Sequence, residues 1–232
     1  MKLDRNDFRK PTVQLSLDLE NLEEAYRMSL VGVESGVDWL EVGTPLAISE
    51  GLHSIRYLRT KFPNIPIVAD LKIMDGGYLE TEMAAKAGAN FVVVMAASHI
   101  ATVKSTVEAA HDYGIYVMGD ILGRNDRVNA AKELESNGVD IVIAHLGFDE
   151  RREKNLSALD FLKDIVDSVT CPVQVVGGLS LNDLPLLPKM GAPLVVIGAP
   201  LVIDNRSFSP ATEMDEMKKI ISKVCNAVKT GA

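Results

Sequence analysis

The segment IVADLKIMDGG, residues 67–77, combines the features of a buried strand with those of a functional site. It begins as an apolar, partly β-branched run, which is typical of a buried parallel strand. It then supplies Asp70, Lys72 and Asp75 before a glycine pair ends it. Side chains two residues apart point to the same side of an extended chain, so we expect Asp70 and Lys72 to face the same way. Because buried charges are costly unless they pair or bind a ligand, this pair is either a strand-end salt bridge or part of a binding site.

Short apolar runs alternate with amphipathic stretches along the rest of the chain. The predicted strands begin near residues 13, 39, 67, 91, 115, 140, 173 and 194. The predicted helices cover about 22–35, 48–61, 77–87, 100–113, 127–137, 156–168, 181–190 and 212–228. Strict alternation predicts parallel pairing, and eight units in 232 residues fit a single-domain (β/α)₈ TIM barrel with residues 1–12 as an N-terminal extension. Glycine follows five of these helices, at positions 36, 88, 114, 138 and 191, which is typical of a left-handed helix end.

Composition excludes several classes of protein. The formal net charge is −8, which disfavours a general surface for nucleic acid or anionic membranes but leaves room for a small anionic substrate. Two cysteines, Cys171 and Cys225, cannot form a disulfide framework. The N-terminus is charged, and no apolar run approaches the roughly 20 residues of a membrane span. We therefore expect a soluble cytoplasmic protein.

Polar residues and glycines follow the ends of the predicted strands. The functional face of a (β/α)₈ barrel lies at the carboxyl ends of its strands, so these residues should share one rim. They are Asp18, Glu41, Asp70, Lys72, Asp120, His145, Gly177, Gly178, Gly198 and Ala199. Their convergence on one rim predicts an active site.

Four carboxylates on one rim, those of Asp18, Glu41, Asp70 and Asp120, would repel one another in a low dielectric. Lys72 can offset one charge, and a hard divalent cation with oxygen ligands, Mg²⁺ for choice, would offset two more. Glu41 and Asp70 are the best candidate ligand pair because they end neighbouring strands. The alternative is that both carboxylates bond to loop amides or to Lys72.

The remaining rim residues suggest acid–base chemistry beside an anion site. His145 ends the sixth strand and can act as a general acid or base near neutral pH, although a lone histidine can also be structural. The glycine loops after strands seven and eight often bind phosphate through backbone N–H groups. The alternative is an ordinary turn in which Ser180 or Asn182 caps a helix. Together these features suit a phosphorylated hydroxy-ketone that reacts through an enediolate.

The pattern D-x-K-x-x-D at Asp70, Lys72 and Asp75 resembles the signature of the orotidine 5′-monophosphate decarboxylase superfamily. The segments LSLD (15–18), LEVG (40–43), AH (144–145) and VGGL (176–179) extend the resemblance over nearly the whole chain. Within that superfamily Glu41 marks the metal-dependent branch, which contains 3-hexulose-6-phosphate synthase and 3-keto-L-gulonate-6-phosphate decarboxylase.

The resemblance implies a role for each matched residue. Glu41 and Asp70 would hold Mg²⁺, Asp18 and Lys72 would contact the substrate, and His145 would move the proton. The resemblance also implies a homodimer in which Asp75 reaches into the neighbouring subunit's site. From the sequence alone, Asp75 is expected to be a helix N-cap, and it could serve both purposes.

Three positions separate the two activities of this branch. Asp120 and Phe148 resemble the synthase, and the loop 198–200 lacks the arginine that the decarboxylase carries. The resemblance therefore implies aldol addition of D-ribulose 5-phosphate to formaldehyde through a 1,2-enediolate. Decarboxylation of 3-keto-L-gulonate 6-phosphate and a non-catalytic sugar-phosphate-binding barrel remain alternatives. Ribulose-phosphate 3-epimerase fits less well, because it needs several metal-binding histidines at strand ends.

The chain also departs from the family pattern. Ala199 replaces an expected glycine and Pro200 lacks a backbone donor, so the phosphate cradle is expected to be shifted. Arg124 in the fifth loop is either a phosphate or carboxylate ligand or a solvated loop charge, and we favour the second interpretation.

Overall fold

The fold is a closed barrel of eight parallel strands, as the sequence predicts. A computed structural model describes residues 3–199, 201–203, 206–208 and 213–231. Consecutive strands pair with one another, and β8 pairs with β1 to close the barrel. The barrel strands are β1 (Thr12–Leu17), β2 (Trp39–Val42), β3 (Ile67–Ile73), β4 (Phe91–Met95), β5 (Tyr116–Asp120), β6 (Ile141–His145), β7 (Val173–Val176) and β8 (Leu194–Ala199).

Helices follow the strands and cover the outside of the barrel. Those in the described chain are α1 (Leu22–Glu34), α2 (Thr44–Glu50), α3 (His53–Lys61), α4 (Gly77–Ala87), α5 (Ile100–Tyr113), α6 (Arg127–Ser136), α7 (Phe148–Lys154), α8 (Leu159–Ser168) and α9 (Met214–Thr230). Four of the five predicted glycine helix ends, those at positions 36, 88, 114 and 138, are confirmed, with φ values between 66° at Gly114 and 104° at Gly88. Gly191 has a φ of 89° but follows a turn and not a helix. No helix in the described ranges is both long and apolar enough to cross a membrane.

Two predicted helices are wrong in detail, and three short elements were not predicted. The single helix over 48–61 is two helices, α2 and α3, because Gly51 adopts a φ of 59° between them. The short helix over 181–190 is reduced to a 3₁₀ turn at Leu184–Leu186. The sequence did not predict α7, which lies in the loop after β6, or the antiparallel pair β9 (Leu201–Ile203) and β10 (Arg206–Phe208).

The amino end of the barrel is closed by aromatic packing. A 3₁₀ helix at Arg5–Arg9 carries Phe8, which is only 1% exposed. The Phe8 ring lies 5.9 Å from Trp39, 5.4 Å from Phe91 and 4.9 Å from Tyr116, measured between ring centroids. These three rings belong to the first residues of β2, β4 and β5. The N-terminal segment thus acts as an apolar plug, which leaves only the other end of the barrel open for polar chemistry.

The carboxyl end of the barrel is polar for a simple geometric reason. Alternate residues of a barrel strand face inward. An inward-facing apolar residue is therefore followed, two residues closer to the carboxyl end, by the next inward-facing side chain. Val68 is followed in this way by Asp70, and Met118 by Asp120. Both carboxylates are buried, with Asp70 6% and Asp120 1% exposed.

Candidate active site

The segment around Asp70 departs from regular strand geometry. Ala69 pairs with Val92 of β4, but the next pair joins Ile73 to Val94, so four steps on β3 oppose two steps on β4. Lys72 lies within this bulge and has a φ of 47°, which is unusual for a residue other than glycine. We expected Asp70 and Lys72 to face the same way because the chain is extended, but the chain is not regularly extended here. They meet through a bulge, with the Lys72 Nζ atom 2.7 Å from Asp70 Oδ2.

The polar end of the barrel opens into one cleft made of two adjoining cavities of about 220 and 330 Å³. Asp18, His145 and Gly198 line both cavities and mark their boundary. The smaller cavity is also lined by Glu41, Asp70, Lys72 and Asp120, and the larger one by Gly177 and Gly178. Nine of the ten predicted rim residues thus line one cleft. The side chain of Ala199, the tenth, and the whole of Pro200 lie outside the described residues.

His145 and Asp120 form a hydrogen-bonded pair between β6 and β5. The Nδ1 atom of His145 lies 2.8 Å from Asp120 Oδ2, and the backbone N–H of Leu122 donates to Asp120 Oδ1 at 2.8 Å. Burial opposes ionisation of Asp120, but the neighbouring His145 and Lys72 outweigh it and lower the pKa of this carboxyl. The structure thus places a carboxylate where it can orient the imidazole ring.

The other carboxyl groups carry more negative charge than the cleft readily accepts. Burial, with the nearby Asp70 and Asp18, raises the pKa of Glu41 well above its usual range. Burial likewise raises the pKa of Asp18, although a hydrogen bond from Ser16 acts in the opposite direction. Such a group of acids favours a bound cation.

Lys72 supplies the positive charge nearest to these acids. Burial alone would lower the pKa of the Lys72 ammonium, but the carboxylates of Asp70, Asp120 and Glu41 raise it overall. Lys72 therefore stays charged, and one ammonium faces several acids.

Two glutamines that sequence reasoning missed form a chain to Glu41, in which Gln14 binds the carboxylate and Gln174 binds Gln14. The Nε2 atom of Gln14 donates to Glu41 Oε2 at 2.5 Å, and the Nε2 atom of Gln174 donates to Gln14 Oε1 at 2.9 Å. Gln14 is 2% and Gln174 0% exposed. A signal for them was present, because each is a lone amide within an otherwise apolar run, in VQLSL (13–17) and VQVV (173–176).

The residues of the smaller cavity fit a magnesium ion. The Oδ1 atom of Asp70 is buried and has no hydrogen-bond partner in the described chain, while Thr44 and Lys72 both bind its Oδ2 atom. Within the same part of the chain no three acidic, histidine or cysteine side chains form a metal-holding group by themselves. Mg²⁺ usually takes one or two carboxylates and keeps several waters, so the chemistry of Glu41 and Asp70 is compatible with it.

The glycine loop after β7 has the shape expected of an anion cradle. Gly177 and Gly178 have φ values of 111° and 75°. A Cβ atom at Gly177 would lie 2.2 Å from the carbonyl oxygen of Leu146, so only glycine fits there. The alternative of a capping turn also holds in part, since Asp183 accepts hydrogen bonds from the backbone N–H and hydroxyl of Ser180.

Two other candidates lie outside the cleft. Arg124 pairs with Asp126 and Glu133 and lines neither cavity, which agrees with its interpretation as a loop charge. Asp75 is exposed and does not cap α4, because Gly76 in a left-handed conformation occupies the N-cap position without a side-chain bond. The predicted N-cap role of Asp75 is therefore wrong.

Comparison with known proteins agrees with this arrangement. A 3-hexulose-6-phosphate synthase of Bacillus subtilis is 32% identical over 207 residues, which cover 88% of this chain and 97% of the relative. The crystal structure of 3-hexulose-6-phosphate synthase from Salmonella typhimurium has a TM-score of 0.79 at 29% identity, over 90% of this chain and 98% of the other. The crystal structure of 3-keto-L-gulonate-6-phosphate decarboxylase from Vibrio cholerae has a TM-score of 0.71 at 27% identity, over 91% of this chain and 99% of the other.

The family model that matches this chain covers residues 11–203, the part that carries every candidate residue of the cleft. The strand-end acids, the lysine within the bulge and the glycine loop all fall inside that match. The chain therefore belongs to the orotidine 5′-phosphate decarboxylase / HUMPS family.

Proposed function

We propose that the protein catalyses the reaction of a 3-hexulose-6-phosphate synthase, the aldol addition of D-ribulose 5-phosphate to formaldehyde through a 1,2-enediolate. One observation carries the proposal: the His145–Asp120 pair and the Asp70–Lys72 pair line the same cleft. The glycine loop at the other end of that cleft suits a phosphate group. The relative from Bacillus subtilis, matched over nearly its full length, bears the name of this activity.

His145 is positioned to move the proton. Its Nδ1 atom is held by Asp120, and the tautomer that donates from Nδ1 leaves Nε2 as the basic nitrogen. His145 would take a proton from C1 of the substrate, and the C1–C2 enediolate would then form a carbon–carbon bond to formaldehyde. The proton held by His145 can return to the oxygen that was the formaldehyde carbonyl, which balances the reaction.

Lys72, Glu41 and Asp70 supply the electrostatics of this step. The Lys72 ammonium lies beside Asp70, where it can offset negative charge that develops on the substrate oxygens. Glu41 and Asp70 would hold Mg²⁺, which when bound adds positive charge that stabilises an enediolate. Gln14 keeps the Glu41 carboxylate oriented through its hydrogen bond.

A homodimer that shares Asp75 is part of the proposal. Asp75 is exposed, and apolar side chains surround it in sequence: Met74 is 52%, Leu79 59% and Met83 45% exposed. Apolar side chains that lie so close together at a surface are typical of an association site. Pairing of two copies here would bury them and would bring each Asp75 towards the other subunit.

Decarboxylation of 3-keto-L-gulonate 6-phosphate is the second candidate, since it shares the enediolate. The side chain three residues after His145 is Phe148, which lines the larger cavity and offers no charge to a substrate carboxylate. This favours the aldol reaction.

Formaldehyde consumption with D-ribulose 5-phosphate, measured with Mg²⁺ and with EDTA, tests the proposal. We expect turnover that needs Mg²⁺ and is lost in His145→Gln. 3-Keto-L-gulonate 6-phosphate is assayed in parallel, and faster turnover of it would favour the second candidate. A protein that binds these sugar phosphates but turns over neither would be a binding barrel.

A further inference from the structure

We propose that Arg151 is the cation that holds the phosphate group of the substrate. The inference rests on the proposed function in one respect, namely that the anion in the cleft is the phosphate of a sugar phosphate. Arg151 lies on α7, an element that the sequence pattern did not predict.

Arg151 contributes a positive charge to the lining of the larger cavity. Among the described residues that line this cavity, Arg151 is the one lysine or arginine. The ionisable groups that share the lining are Asp18 and His145 at its border with the smaller cavity. A phosphate that enters loses water, and amide dipoles alone offset the lost hydration less well than amides with a guanidinium.

Arg151 lies directly against the glycine loop. A Cβ atom built on Gly178 would be 3.0 Å from Arg151 Cδ, so the absence of a side chain at Gly178 makes room for the arginine stem. The guanidinium lies over the ring of Phe148, 5.5 Å from its centroid. Arg151 is half-buried, and its side chain lies between Gly178 and the Phe148 ring. These contacts limit the conformational entropy that the side chain loses when it binds a ligand.

The donors of this guanidinium are available. The Arg151 side chain forms no hydrogen bond or ion pair with any residue that the structure describes. Two other nearby cations differ, because Lys154 and Arg127 both pair with Glu150, at 3.1 and 2.8 Å. A half-buried guanidinium with unused donors in a cavity is suited to a bidentate oxyanion ligand such as phosphate.

Backbone donors at the same place complete the site. The N–H groups of Gly178 and Leu179 likewise form no hydrogen bond within the described part of the chain, and both residues line the cavity. An arginine fork on one side and two amides on the other form a typical phosphate site, and here the arginine comes from the loop after β6.

Arg152 provides a matched control. It is the next residue on α7 and lies over the same Phe148 ring, 5.4 Å from the centroid, but it is exposed and does not line the cavity. Arg151→Gln and Arg152→Gln change the net charge equally. Any difference between them therefore reflects position in the cavity and not the overall field of the protein.

The test compares these variants with the unmodified protein in the binding of three probes: D-ribulose 5-phosphate, inorganic phosphate and D-ribulose. We expect Arg151→Gln to weaken binding of both phosphate compounds by about 10- to 100-fold, the range for a charged hydrogen bond. Binding of D-ribulose should stay unchanged, and Arg151→Lys should recover part of the loss. Arg152→Gln should resemble the unmodified protein, and all variants should unfold at similar temperatures without ligand.

The outcomes separate this inference from the proposed function. If the unmodified protein consumes formaldehyde and Arg151→Gln retains its KM for D-ribulose 5-phosphate, the phosphate role of Arg151 is wrong and the function stands. If formaldehyde is not consumed but inorganic phosphate binds in an Arg151-dependent way, the anchor stands and the function is wrong. Equal effects of Arg151→Gln and Arg152→Gln on phosphate binding would overturn the inference.

Discussion

The Nδ1 atom of His145 lies 2.8 Å from the Oδ2 atom of Asp120, across the neighbouring strands β6 and β5. Asp120 is in turn held by the backbone N–H of Leu122, and its pKa is lowered, so the pair consists of a fixed carboxylate and an oriented imidazole. This arrangement is suited to a base whose second nitrogen faces the substrate.

Loss of the imidazole should stop proton removal. We expect His145→Gln to slow exchange of the C1 proton of D-ribulose 5-phosphate with solvent deuterium by about 10²- to 10⁴-fold, the usual contribution of a general base. Asp120→Asn should slow it as well, because the amide can no longer hold the same tautomer. The exchange is followed by proton NMR, and unchanged binding of inorganic phosphate is the control. Retained exchange in His145→Gln would show that another group is the base.

Burial of the Glu41 carboxyl should make stability depend on pH. A pKa raised above the ordinary value of 4.5 means that the folded protein binds the proton more tightly, so stability falls as pH rises from 4.5 through the folded pKa. We expect Glu41→Gln to unfold at a higher temperature than the unmodified protein in EDTA at pH 7.5, with the difference vanishing near pH 4.

Magnesium should act against this difference in unfolding temperature. The ion offsets the buried charge of Glu41, so Mg²⁺ should raise the unfolding temperature of the unmodified protein more than that of Glu41→Gln. Differential scanning fluorimetry with and without EDTA measures both effects. If the unfolding temperature of the unmodified protein does not change when Mg²⁺ is added, the proposed metal site is wrong.

The glutamine pair should matter more for the metal than for the fold. Gln14→Leu removes the donor to Glu41 and the acceptor for Gln174, and we expect a loss of about 1–3 kcal/mol in the free energy of unfolding. Mg²⁺ affinity should fall by about 10- to 100-fold, as for other partners of metal ligands. Gln174→Leu is the control because it touches Gln14 and not Glu41. Equal losses of Mg²⁺ affinity in both variants would argue against orientation of Glu41 by Gln14.

A site shared between subunits predicts complementation. Asp75→Asn and His145→Gln should each be inactive alone. A heterodimer of the two, purified through different tags, should regain about half of the unmodified activity, because one of its two sites combines an intact His145 with the partner's intact Asp75. A heterodimer that stays inactive would place Asp75 in its own subunit's site or outside the chemistry.

Much of the fold follows from local pattern. Apolar runs with inward alternation and glycine helix ends are properties of a few adjacent residues, so the eight strands and the rim positions of Glu41, Asp70, Asp120 and His145 could be predicted. Gly51 was missed as a helix break because the residues on either side of it continue an amphipathic pattern. The short helix α7 was missed because charged residues fill it and none of them is buried.

By itself, the sequence determined the barrel and the identity of the groups at its mouth, since both depend on the order of polar and apolar residues. Only the tertiary structure decided the contacts that position these groups relative to one another. The bulge that brings Lys72 onto Asp70 depends on the register between β3 and β4, and the Gln174–Gln14–Glu41 chain joins residues up to 160 positions apart. The place of Arg151 against Gly178 likewise depends on how two loops pack. Such contacts arise from closure of the whole barrel, a cooperative property that no local stretch of residues contains.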